Sequence, residues 1–219
     1  MNESKAREEI CRIGKSLYDR GYAHASAGNI SVRLDNGFLI TPTDGCLGFL
    51  DPAALALVDA GGRQVSGAQA SKTLALHTMI YRAAAPFDPG TSCVIHTHST
   101  NAVALTLRGE QTELLPPITP YFVMKVGHVP LVGYHRPGSP AAAEEVARLI
   151  ARYGERGRPI RAVMLSRLGP NVWHDTPAAA MAVLEELEET ARLMRAAPDV
   201  KPLSEPQIEE LRATFGARW

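Results

Sequence analysis

Two histidines one residue apart, His96 and His98, directly follow the apolar residues Cys93-Val94-Ile95. Residues two apart on a strand point to the same face. Both imidazoles could therefore meet one divalent cation through their ring nitrogens. The ordinary alternative is a pair of histidines that merely close a strand. Three upstream stretches have the composition of an anion site. Gly28-Asn29 precedes a strand, where glycine permits a turn with exposed backbone N–H groups. Thr41-Pro42-Thr43-Asp44-Gly45 brings hydroxyls and a glycine together, as an anion site or as a plain turn would. Ser71-Lys72-Thr73 opens a helix, with Ser71 as its expected N-cap, and a helix start of this kind attracts anions. His77, one turn further on, is expected to be a packed, hydrogen-bonded histidine rather than a ligand.

The elements that must hold these residues follow from periodicity and punctuation. A helix is predicted over 8–21, with Ile10, Ile13, Leu17 and Tyr18 on one stripe and Gly21 as its stop. Residues 30–34 and 38–40 form a hairpin about Asp35-Asn36-Gly37, and residues 57–59 and 64–65 form another. Helices follow at 74–84 and 100–107, with a buried strand ending at His96 between them. The prolines of Leu115-Pro116-Pro117-Ile118-Thr119-Pro120-Tyr121 keep that stretch extended. Residues 122–124 and 129–132 are expected to be short strands, and a helix runs from about Ser139 to Tyr153. Strand 161–165 turns at Leu168-Gly169-Pro170 and returns through Asn171-Val172-Trp173. Thr176-Pro177 opens a long helix to about Ala197. One domain is expected over residues 1–200, followed by a partly mobile tail, 201–219, carrying a short helix.

Composition narrows the functional classes. The 23 Lys and Arg balance the 23 Asp and Glu, so no net field favours nucleic acid or anionic lipid. No apolar run approaches the roughly 20 residues of a membrane span, and the N-terminus has no signal-peptide core. Three widely spaced cysteines, Cys11, Cys46 and Cys93, argue against a disulfide framework. A cytoplasmic protein without a nucleic-acid or membrane partner is expected.

Taken in order, Gly-Asn-Ile-Ser, Thr-Pro-Thr, Ser-Lys-x-x-x-x-His, His-x-His and a Gly-Pro turn before a long Glu-rich helix resemble the class II aldolase/adducin-head family. The resemblance covers about Glu8 to Leu193. Within it, Leu47-Gly48-Phe49-Leu50-Asp51, Leu115 to Tyr121, Tyr134-His135-Arg136-Pro137-Gly138 and Glu185 to Ala191 look most like the 3-oxo-tetronate 4-phosphate decarboxylase branch. The resemblance implies an α/β fold, a three-layer α/β/α domain with a mostly antiparallel central sheet. It implies a homotetramer with active sites between subunits and a phosphorylated small-molecule substrate. It also implies a divalent metal, zinc with manganese as the alternative, on His96, His98 and a third histidine. Phosphate would lie against Gly28, Asn29, Thr43, Ser71 and Lys72, and Tyr121 would reach a site shared with a neighbouring subunit as a catalytic residue. The implied reaction is decarboxylation of a 3-keto sugar acid phosphate to a ketose phosphate. The alternatives are a class II sugar-phosphate aldolase, a lyase of altered chemistry, or a catalytically silent member.

The chain departs from the family pattern twice. Thr73 stands where the family carries an acidic residue, so the catalytic position after Ser-Lys is a hydroxyl. Leu168 stands where the third metal histidine precedes Gly-Pro. Leucine cannot bind metal, and catalytic zinc sites typically use three protein ligands. His174, across the turn, is the candidate replacement, with His128 and His135 behind it.

Overall fold

Ala6, Ile10, Ile13 and Leu17 recur every three or four residues and are fully buried, so the first segment folds as an amphipathic helix, α1 (Glu3–Asp19). It begins five residues before the predicted start because the Asn2 side chain accepts from Lys5 N at 2.9 Å, capping a charged turn without apolar residues. In this computed structural model, which describes residues 1–109 and 111–219, eight strands and five further α-helices follow α1 among the described residues.

The strands are β1 (Asn29–Leu34), β2 (Gly37–Ile40), β3 (Ala56–Asp59), β4 (Gln64–Ser66), β5 (Cys93–His96), β6 (Leu131–Val132), β7 (Ala162–Leu165) and β8 (Gly169–His174). The helices after α1 are α2 (Leu74–Ala84), α3 (Thr100–Leu105), α4 (Pro140–Glu155), α5 (Pro177–Ala196) and α6 (Glu205–Phe215). The strands make one eight-stranded sheet in the order β4-β3-β2-β1-β5-β8-β7-β6. Its pairs are antiparallel except β6 with β7, which is parallel, so the sheet is mixed. The exception follows from the chain: β6 and β7 are joined through α4, the crossover that a parallel pair requires.

Alternation along the central strands divides the core. Ile30, Val32, Cys93, Ile95 and Val172 pack in one hydrophobic cluster with residues of α1, α3 and α5. Val94, Val163, Leu165 and Trp173 belong to a second, with Ile80 and Tyr81 of α2 and Val146 and Ile150 of α4. The intervening polar residues of β1, Asn29 and Ser31, share the parity of the second set. The functional residues therefore emerge on the face covered by α2 and α4.

Two local expectations change. Residues 122–124, predicted as a strand, belong to a π-helical turn, Phe122–Val126, with Phe122 N donating to Thr119 Oγ1 at 3.1 Å. Three consecutive apolar residues cannot distinguish a period of two from a helical one, and here Phe122, Val123 and Val126 all find burial in the turn. The 201–219 tail is docked: Ile208 is buried, Trp219 stacks on His128 with centroids 4.2 Å apart, and Arg218 pairs with Asp88 at 2.8 Å.

The β7–β8 turn rests on a backbone approach that only glycine allows. Gly169 has φ +148°, and an added Cβ would collide with the Thr97 carbonyl oxygen. We expect Gly169→Ala to lower unfolding free energy by more than about 2 kcal/mol, read from a urea midpoint. A midpoint within the error of wild type would refute this account of the turn.

Candidate active site

A cavity of about 410 Å³ opens where β1, β5 and the start of α2 meet the loop before α4. Asn29 and His96 oppose each other across β1 and β5, and His96 and Asn171 across β5 and β8. Directly opposed residues place their side chains on the same face. Asn29, His96 and Asn171 thus form a polar row across three strands, and Asn29 and His96 of that row line the cavity. Gly28 makes the row possible: its φ is +92°, and a Cβ there would stand 2.8 Å from the His96 carbonyl oxygen.

His96 and His98 lie with ring centroids 5.0 Å apart, edge to face, and both line the cavity. His96 Nδ1 lies 2.9 Å from the Pro170 carbonyl oxygen. A carbonyl can only accept, so the ring donates from Nδ1 and presents a lone pair at Nε2. Burial, aided by the neighbouring His98, pushes the His96 pKa down to about 4. Partial burial and then His24, whose ring centroid is 6.3 Å away, lower His98 as well. His77 is fully buried, bonded through Nδ1 to Ser31 Oγ at 2.8 Å, and burial followed by His96 pushes it down to about 3. His77 and His96 are therefore neutral at pH 7. His77 is the packed histidine that its position predicts, although its Nε2 makes no hydrogen bond among the described residues.

The hydroxyl stretches converge on the same cavity. Thr43 N donates to Gln69 O at 2.8 Å and Ser71 N to Thr41 O at 3.2 Å, so the two stretches run side by side. Gly28, Asn29, Thr43, Ser71, Lys72 and Thr73 all line the wall. Ser71 is not the helix cap. The helix begins at Leu74, its N-cap is Thr73, and Ser71 Oγ instead bonds Thr73 Oγ1 at 2.9 Å. The helix starts where it is expected, and the pairing with Thr41 ties Ser71 to the Thr41–Thr43 stretch ahead of it.

Other expected residues lie elsewhere. His174 pairs with Cys93, at the opposite end of the β5–β8 ladder from His96 and Asn171. It bonds Asp175 and lines a separate cavity with Arg20 and Arg161. His174 cannot join His96 and His98, because three residues of extended strand separate it from them. His128 is occupied by Trp219. His135 does line the cavity, with Nε2 bonded to Glu145 at 2.9 Å. Tyr121 is 62% exposed and does not line the cavity of its own chain.

Sequence reasoning missed three participants. Arg136 lines the cavity, Asn171 is paired with His96 on the neighbouring strand, and His24 approaches His98. Their signals were weak. Arg136 and His24 sit in loops, and Asn171 became visible only once strand register placed it against His96. Leu168 lines the cavity beside the histidines, as its place before Gly169-Pro170 requires.

Residues 8–194 match the family described as the class II aldolase and adducin N-terminal domain. The chain belongs to this family. Among its relatives, a protein of Cupriavidus necator named 3-oxo-tetronate 4-phosphate decarboxylase is 53% identical, over 99% of both chains. A protein of the same name from Escherichia coli K12 is 41% identical, over 96% of this chain and 97% of its own. The crystal structure of YgbL from Escherichia coli superposes with a TM-score of 0.86 at 40% identity, covering 96% of this chain and 99% of that one.

Class II aldolases generally use a divalent metal, and the donor set here tests that rule for this chain. His96 Nε2 is a neutral donor whose partner nitrogen is held by a carbonyl, the outer contact typical of metal-binding imidazoles. His98 adds a second ring. Among the described residues, however, no group of three His, Cys, Asp or Glu side chains converges to hold an ion. The residues present do not fit a three-ligand catalytic zinc site. We expect the purified protein to lose zinc to a mild chelator, giving well under one ion per chain by elemental analysis. His96→Ala with His98→Ala should abolish whatever uptake remains. Stoichiometric zinc retained by that double variant would place metal binding elsewhere.

Proposed function

We propose that this chain is a carbon–carbon lyase that removes CO2 from a phosphorylated 3-keto sugar acid of the 3-oxo-tetronate 4-phosphate type. The product is a ketose phosphate such as dihydroxyacetone phosphate. What carries the reading is the coincidence, in one cavity, of an anion-binding wall with a neutral histidine pair and an apolar patch of Met79, Leu165 and Leu168. The names of the relatives at 41% and 53% identity point the same way.

In this reading Gly28, Asn29, Thr43, Ser71 and Lys72 bind the phosphate, far from the bond that breaks, and orient the chain of carbons. The C1–C2 bond then cleaves, CO2 leaves, and the electron pair passes into the neighbouring C3 carbonyl as an enediolate. Charge that develops on its oxygens meets a ring N–H of His98. Protonation at C2 completes the product. The apolar patch favours this direction, because a charged carboxylate becomes neutral CO2 there. Thr73 is compatible with decarboxylation, since no hydroxyl proton has to be removed before the bond breaks. Aldol cleavage does require such a base, and a threonine hydroxyl cannot serve as a carboxylate would. Thr73 then acts as a hydrogen-bonding neighbour of Ser71 rather than as a base.

A homotetramer is part of the proposal, with the exposed Tyr121 completing the cavity of a neighbouring subunit. Zinc or manganese, where present, would bind His96 and His98. A cytoplasmic setting accords with the absence of any helix long and apolar enough to cross a membrane among the described residues. A second reading, a catalytically silent member, is favoured by Leu168 in the cavity wall.

Release of CO2 from 3-oxo-tetronate 4-phosphate, with the ketose phosphate formed in equal amount, is the expected result. Ser71→Ala should raise KM about tenfold, the loss of a hydrogen bond to a charged group, without changing the melting temperature. Binding of the ketose phosphate without any turnover, at any divalent metal concentration, would select the silent reading instead.

A further inference from the structure

The substrate class proposed above carries two anions, a phosphate at one end and a carboxylate at the other, whereas its product keeps only the phosphate. The cavity wall holds two arginine or lysine side chains among the described residues, Lys72 and Arg136. Lys72 belongs to the hydroxyl wall, beside Ser71. Arg136 reaches the cavity from the segment between β6 and α4, with the histidine pair also on the lining. That segment is held in place: Ser139 N donates to the Arg136 carbonyl at 3.1 Å, and Pro137 and Pro140 restrict the backbone on either side.

The side chains around Arg136 leave its guanidinium uncommitted. Neighbouring His135 is bonded to Glu145 at 2.9 Å. Arg33, Arg161 and Arg218 gather instead near Asp88 and Pro89. Among the described residues Arg136 makes no ion pair and no side-chain hydrogen bond, although Glu144 and Asp44 also line the cavity. A planar guanidinium presents paired donors that match a carboxylate.

We propose that Arg136 is the specificity residue that recognises the carboxylate of the substrate, and so separates the keto acid from the ketose phosphate. This rests on the lyase reading of the cavity. Arg136 is exposed at the rim, so the pairing is solvated and moderate in strength. That suits the chemistry. A buried, tightly held carboxylate would be stabilised more before the bond breaks than after, slowing the step, whereas a rim contact selects and orients the substrate.

The test is calorimetric binding to the intact wild-type protein and two variants, Arg136→Gln and Arg136→Lys, with two ligands. One is 4-phosphoerythronate, which keeps both anions but lacks the 3-keto group and cannot lose CO2. The other is dihydroxyacetone phosphate, which lacks the carboxylate. Arg136→Gln should weaken 4-phosphoerythronate about tenfold and change dihydroxyacetone phosphate by less than about twofold, with Arg136→Lys recovering part of the loss. Equal losses for both ligands would assign Arg136 to the phosphate and overturn the proposal, as would no loss for either. Wild-type protein that releases CO2 while Arg136→Gln binds both ligands normally would overturn this assignment alone. Wild-type protein that binds neither ligand would remove the lyase reading, and this assignment with it.

Discussion

Three backbones meet around His96 and Thr97, and the rest of the site depends on how closely they approach. Gly28 brings the entry to β1 against the His96 carbonyl, and Gly169 brings the β7–β8 turn against that of Thr97. Pro170 then offers its carbonyl to His96 Nδ1 and, at 3.4 Å, to Thr97 N. One carbonyl therefore orients the imidazole and ends the β5–β8 ladder. A side chain at either glycine would push the strands apart and release His96 from the orientation in which Nε2 faces the cavity.

That junction explains why the polar groups lie where they do. Asn29, His96 and Asn171 can share a face only because the register pairs them across adjacent strands. His77 and Ser31 sit on the same side, where α2 covers the sheet. Burial holds His77 and His96 neutral, with pKa values pushed down to about 3 and about 4. Neutral rings suit a pocket that must receive a multiply charged ligand, because its positive charge is left to Lys72 and Arg136, where solvent can reach it.

The two departures from the family pattern act on different parts of the chemistry. Thr73 removes a carboxylate, which matters to a reaction that deprotonates a hydroxyl and little to one that expels CO2. Leu168 stands where the family pattern has a histidine and adds apolar surface to the cavity wall. The first change narrows the choice of reaction. The second leaves His96 and His98 without the third histidine of the family pattern.

Much of this was legible in the residues. The stripe Ile10, Ile13, Leu17, the Asp35-Asn36-Gly37 turn, the Thr176-Pro177 helix start and the His-x-His pair are local signals, set by the steric preferences and periodicity of neighbouring residues. So were the hydroxyl stretches, whose composition suits an anion site or a turn, although not their pairing with each other. What local signals could not contain is register. Only the tertiary structure put His174 opposite Cys93 and Asn171 opposite His96, because one extended residue advances a strand by about 3.3 Å and three carry a side chain out of reach. Likewise the pairing of Ser71 with Thr41 is long-range, and it joins Ser71 to the other hydroxyl stretch, leaving Thr73 as the cap of α2. Arg136 came to line the same cavity as Lys72 through the crossover between β6 and β7, from a segment far away in the chain.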